Sequence, residues 1–285
     1  MRKQPACGMK SAVFRPMIDV RVRESVMNRT ALGFALLLAL GAACHAQDVK
    51  SLIAEGDRAA EQRFDNRKGL ELYQKAEALE PKNAAVLWRI SRACVDIAEH
   101  LPAATDTQKD EQLATYAKSL DYANRAIQAS PGNMMGYLRR AISNGRIALF
   151  KGVFSVIGLV KDVKADLEKA ITLNNENKQA LAVAHYVLGR THAKVCEKAY
   201  LVRLPLGLGW GDRDVAAKEF DQAIALNPSF IMFRLDAARN LVELDDFQKA
   251  RDLLKMIPQL PVQDEDDEQF KREAASLLME IARKN

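Results

Sequence analysis

Glycine and proline are scarce in this chain, at 14 and 9 of 285 residues. That scarcity, with apolar residues falling mostly at helical spacing, argues for an all-α protein. Motifs for catalysis are missing as well. No glycine-rich phosphate loop leads into Lys and Ser/Thr, and no G-x-S-x-G turn is present, so nothing in the sequence points to an enzyme. Cysteine is limited to four residues. Cys7 and Cys44 lie near the N-terminus, while Cys94 and Cys196 sit at separated helical positions, which reads as two buried thiols rather than a bridge or a metal site. A composition of 48% hydrophobic and 28% charged residues excludes a disordered chain.

A lasting excess of one charge is also absent. The formal net charge is +5, yet residues 1–46 contribute seven of 42 basic and two of 37 acidic residues, leaving 35 of each beyond them. The remainder is neutral and lacks the basic footprint of a nucleic-acid-binding protein. The first 46 residues form a distinct segment. From Met27, Arg29 precedes an uncharged apolar stretch from Ala31 to Ala43 and a small residue at Ala46. This is the pattern of a secretory signal peptide, and the stretch is shorter than the ~20 residues of a membrane span. Residues 1–46 are therefore expected to be a leader with Met27 as the true start, followed by a helical domain over 47–285. Secretion to the periplasm or another extracytoplasmic space follows. The alternatives are a mitochondrial transit peptide or an uncleaved membrane anchor, and Gly41 stands where a lipoprotein signal ending at Cys44 would carry Leu.

What the sequence does have is one phrase written four times: KAEALEP at Lys75 to Pro81, RAIQASP at Arg125 to Pro131, KAITLNN at Lys169 to Asn175 and QAIALNP at Gln222 to Pro228. A phrase recurring at this interval marks a helical solenoid, whose units share one continuous core. It resembles the second helix of a tetratricopeptide unit. The fourth copy carries the fullest set, with Leu188 and Gly189 for the first helix and Ala216, Phe220, Ala223 and Pro228 for the second. The resemblance implies a right-handed helical-hairpin solenoid of about five units. The fifth unit is carried by Ala238, Leu241, Ala250 and Leu254, and a capping helix over Asp264 to Arg283 closes the stack.

The alanines at 76, 126, 170 and 223 stand 50, 44 and 53 residues apart, all longer than the ~34 residues of a simple unit. These enlarged units, with WRISRA at Trp88 to Ala93 and HYVLGR at His185 to Arg190, resemble the regulator of microtubule dynamics family of tetratricopeptide-like proteins. The resemblance implies a non-enzymatic scaffold that binds a protein or peptide, or a membrane-peripheral adaptor.

Three groups of residues are candidates for function. First helices usually line the concave face of such a solenoid, which makes Trp88, Arg89, Arg92, Arg139, Arg140, Arg190 and Lys194 candidates to grip a partner's carboxylates. The alternative is that these cations pair with acids such as Asp96 and Glu99. The apolar inserts FKGVFSVIGLV (150–160) and LVRLPLGLGWG (201–211) should emerge on one edge of the solenoid. There Phe154, Ile157, Leu206 and Trp210 either form a patch for a partner or a membrane surface, or pack on each other. Finally, His185, His192 and Cys196 share helical spacing, but the two histidines fall where the repeat places packing aromatics, so no metal or other cofactor is assigned. The leader reading is checked by sequencing the mature N-terminus. The expected first residue is Gln47, and a chain retaining Leu36 to Leu40 would rule out free secretion.

Overall fold

The computed structural model describes residues 47–152, 155–174 and 177–284, and its helical unit begins at Asp48. The leader 1–46, Phe154 and the phrase-ending Asn175 lie outside the described residues. No β-strand occurs among those described.

The helices pair into antiparallel hairpins, as the repeated phrase predicts. The first pair is α1 (47–62, ending in a π-helical turn at Arg58–Gln62) and α2 (Asn66–Leu79). It is followed by α3 (Ala84–Glu99) with α4 (Asp106–Ala129), and α5 (Met134–Lys151) with α6 (Ile157–Leu173). In the fourth pair α7 (Lys178–Val195) packs on α9 (Arg213–Leu226), with the short α8 (Tyr200–Arg203) inserted between them. The fifth is α10 (Ile231–Val242) with α11 (Phe247–Met256), and α12 (Asp267–Glu280) covers the end by packing on both. The first helices of neighbouring units also touch, α3 with α5, α5 with α7 and α7 with α10, so they line a common inner face.

The boundaries follow from local chemistry. The first two phrases end in Pro81 and Pro131, and two residues later Asn83 and Asn133 begin the next helix. Their side chains accept hydrogen bonds from the backbone N–H of Ala85 (2.9 Å) and Met135 (2.8 Å). Thr105 and Gln108 form a reciprocal cap on α4. At the other end, the repeated alanine accepts the last bond of each second helix. The N–H groups of Glu80, Ser130, Asn174 and Asn227 donate to the carbonyls of Ala76, Ala126, Ala170 and Ala223.

The residues that lengthen the units go largely into helix. In the second unit α4 has grown to 24 residues. In the third, Phe150 and Lys151 end α5 and Ile157 to Val160 begin α6, so most of the expected insert is helical. Only the fourth unit carries a long connection, and buried Arg203 organises it by donating to the carbonyls of Leu208 (3.2 Å) and Gly211 (2.6 Å).

One expectation is corrected. The capping helix expected from Asp264 to Arg283 spans Asp267 to Glu280, so Asp264, Glu265 and Asp266 precede it. Asp267 itself is fully buried, because its carboxylate accepts the backbone N–H groups of Gln263 (2.7 Å) and Asp264 (2.9 Å).

Phe220 shows how the hairpins lock. It is 1% exposed and packs with Ala182, Tyr186 and Phe233 across three helices, against α7 where Gly189 leaves room. A Cβ at Gly189 would stand 3.1 Å from the Ala216 carbonyl oxygen and the Phe220 ring. Replacing Phe220 with Ala should therefore cost about 3–5 kcal/mol, measured by denaturant unfolding.

Candidate functional site

The inner face encloses a cavity of about 810 Å³, lined by α3, α5, α6, α7, α9 and α10 and by Asp264 of the segment before α12. Helical spacing sets its chemistry. Arg139, Ile142 and Arg146 recur along one face of α5, as do Tyr186, Arg190 and Lys194 along α7 and Asp236, Arg239 and Glu243 along α10. With Asp96 and Glu99 of α3, the second to fifth units thus present charge to the same interior.

Most of those charges are already paired. Asp236 accepts from the Tyr186 hydroxyl (2.8 Å) and Arg239 (2.8 Å), and Arg190 Nε stands 3.2 Å away. Burial pushes the Tyr186 hydroxyl pKa up, which keeps it a donor to Asp236. Glu99 pairs with Arg146 of the next unit. Burial raises the Glu99 pKa, and the Arg146 guanidinium opposes that rise. Arg213 reaches Glu243 (2.9 Å), and Lys194 makes an exposed pair with Glu197 (2.8 Å).

Among the cations expected from the sequence, only Arg139, Arg190 and Lys194 line the cavity. The others are committed elsewhere. Arg89 forks onto Asp57 (2.7 and 2.9 Å), Arg92 pairs with Glu61 and Asp96, and Arg140 forks onto Asp166 (2.7 and 2.6 Å) on the side of α6. Trp88 lies beneath the Arg89 guanidinium, 4.1 Å from its ring centre.

Arg139 differs from the rest. Its guanidinium stands 5.8 Å from the Trp88 ring centre, its Nε is buried without a hydrogen-bond partner, and no carboxylate is in ion-pair contact with it among the described residues. Burial, and then the neighbouring Arg92 cation, push its pKa down to about 10. It remains a cation at neutral pH, poorly solvated and facing a cavity. Sequence reading grouped Arg139 with Arg140 and missed Arg146, Arg213 and Arg239. The seven-residue step from Arg139 to Arg146 was the available signal, since it places both on one helix face.

The insert residues pack together. Ile157, Leu206 and Trp210 are half-buried against Ala148, Val160, Val195 and Leu208. A group of exposed apolar side chains lies beside them, on and just after α8, where Tyr200, Leu201, Val202 and Leu204 are 48–81% exposed. Among the described residues no helix is long and apolar enough to cross a membrane.

The two histidines of α7 are both engaged by neighbouring side chains. His185 Nδ1 lies 2.6 Å from Glu219, and buried His192 meets the Trp210 ring edge-on at 5.0 Å, with burial lowering its pKa. Cys94 is buried and Cys196 half-buried, and both are free thiols. No three His, Cys, Asp or Glu side chains among the described residues are grouped to hold a metal.

Comparison with known proteins agrees with this architecture. Residues 52–282 match the family described as regulator of microtubule dynamics protein 1-3. Regulator of microtubule dynamics protein 1 of Bos taurus is 26% identical over 215 residues, covering 72% of this chain and 64% of that protein. The Mus musculus protein of the same name is 24% identical over 257 residues, covering 87% and 80%. The chain thus spans less than two thirds of the length of the bovine relative that it matches. In fold it is similar to a thermophilic tetratricopeptide-repeat protein of Thermus thermophilus, with TM-score 0.55, 17% identity and coverage of 81% of this chain and 99% of that one. It is also similar to PilF of Pseudomonas aeruginosa, with TM-score 0.50, 13% identity and coverage of 84% and 88%.

Asp236 of the fifth unit joins the fourth through two side chains, Tyr186 and Arg190, and holds Arg239 on its own helix. Its replacement by Ala strands Tyr186 and Arg190, while Arg239 keeps its pair with Glu273. The expected loss is about 2–4 kcal/mol in chemical denaturation, with Asp236→Asn losing less.

Proposed function

This chain belongs to the regulator of microtubule dynamics family, and from that premise we propose that it is a non-enzymatic scaffold whose inner cavity receives a segment of a partner protein. The fold and the family support a helical protein-interaction scaffold. The observation that carries the finer reading is the unpaired Arg139 in a cavity whose other cations have carboxylate partners. The buried Nε of Arg139 has no acceptor, and a carboxylate supplied by a bound segment would satisfy this half-buried guanidinium with charge-assisted hydrogen bonds. Arg139 is the anchor in this reading, with Arg190 and Lys194 further along the wall. In the same proposal, residues 1–46 are a removable leader that carries the chain to an extracytoplasmic space.

The test compares partner capture by crosslinking, using the wild-type chain and Arg139→Gln. Capture should fall at least about tenfold, the weight of one charge-assisted contact, while the melting temperature stays the same or rises slightly because repulsion from Arg92 is relieved. Unchanged capture by the variant would remove Arg139 as the anchor. Charge reversal at Arg140 is not equivalent, because it would strand Asp166 and lower stability.

A further inference from the structure

The segment between the fifth unit and α12 crosses back to the beginning of the solenoid. Gln263 donates to Ser229 (3.0 Å), the Asn66 amide at the start of α2 donates to Glu265 (3.0 Å), and Asp264 lines the cavity. Its two ends are firmly held. Ile257 and Leu260 pack into the core of the last unit, and Asp267 is buried where it caps the turn. Between those anchors, the contacts found with the first two units are polar. They converge on His100, the residue that ends α3.

His100 is placed so that its charge matters. Its Nδ1 lies 2.8 Å from the Asp96 carbonyl oxygen and 3.4 Å from the Glu265 carboxylate, and its Nε2 lies 3.4 Å from the Asp266 carboxylate. Oxygen acceptors therefore face both ring nitrogens. A neutral imidazole carries one N–H, so either tautomer turns a lone pair toward an oxygen. Only the imidazolium donates on both sides.

We propose that residues 263–267 form a strap over the cavity that protonation of His100 holds closed. The proposal rests on the reading of the cavity as the binding site and assigns its regulation. The groups facing the ring define the balance. From α3 come Asp96, which Arg92 partly neutralises at 3.5 Å, and Glu99, which Arg146 pairs. From the strap come Asp264, Glu265 and Asp266, and α2 contributes the uncharged Asn66. Negative charge dominates, so a neutral His100 leaves the strap acids repelling Asp96.

The titration directions agree. Burial alone would lower the His100 pKa, but the Asp96 carbonyl, Asp266 and Glu265 raise it overall. Burial, with crowding by neighbouring acids, raises Asp264 and Glu265. A group whose pKa is raised by closure favours the closed form below its ordinary pKa, and that contribution is lost as pH rises through the raised value. His100 therefore acts around neutrality and the two acids at lower pH, all in the same direction. The strap closes on acidification and loosens on alkalinisation. Its partly exposed contacts are each worth little, as a movable element requires.

The test is hydrogen exchange of the amides of residues 262–268 in the full chain without partner, corrected for the intrinsic pH dependence. Wild-type protection should fall at least about threefold between roughly pH 6 and pH 8.5, across the imidazole titration. His100→Gln should be weakly protected at both values, and His100→Lys, which keeps the charge, well protected at both. Amides of α7 serve as the reference for global opening and should not change. Wild-type protection independent of pH, full protection in His100→Gln, or a His100→Lys strap as loose as that of His100→Gln would each overturn the proposal. Because no partner is present, failure here leaves the Arg139 reading standing. Capture that survives Arg139→Gln leaves the strap result standing.

Discussion

The close approach of one hairpin to the next at the repeated alanines sets the rest of the structure. Ala76, Ala126, Ala170 and Ala223 are at most 2% exposed, and each gives its carbonyl to the bond that ends its helix. A larger side chain there would push neighbouring units apart, and dense interiors do not absorb such volume cheaply. Gly136 obeys the same limit from the opposite side, since a Cβ on it would come within 2.7 Å of Ile127. Small residues at these points bring the first helices near enough to share one interior.

That sharing explains the distribution of charge. Arg89 with Asp57, Arg125 with Glu77, Arg146 with Glu99 and Arg190 with Asp236 each join consecutive units. Pairs of this kind add modestly to stability when partly exposed, but they penalise a slipped register because buried charges would lose their partners. With the other cavity cations satisfied in this way, Arg139 keeps a capacity for hydrogen bonds that the fold does not use. The enlarged units follow the same economy: most added residues extend helices, and the one long connection is organised by Arg203 inside it.

The strap and the cavity are linked by geometry. Asp264 belongs to both, and the segment that carries it touches the second and third helices as well as the loop before α10. The exposed apolar side chains of Tyr200, Leu201, Val202 and Leu204 lie on the insert instead, and none of them lines the cavity.

The class of the fold is written in the linear chain, because periodicity, small residues and helix stops are local properties. The phrase around Ala76, the helix-stopping Pro81 and Pro131, and the groove-filling Phe220 are all legible there. So is the neighbourhood of the two inserts, since equivalent connections of adjacent units lie on one edge. Which charges are free depends instead on tertiary packing. Arg139 and Arg140 are adjacent in sequence, yet consecutive residues point to different sides of a helix, and one meets a cavity while the other meets Asp166. The role of the acidic run at Asp264 is equally hidden in the chain, because His100 lies 166 residues from Asp266. Only the curvature of the stacked units brings them together, and that curvature is a sum of small rotations at every interface rather than a property of any one motif.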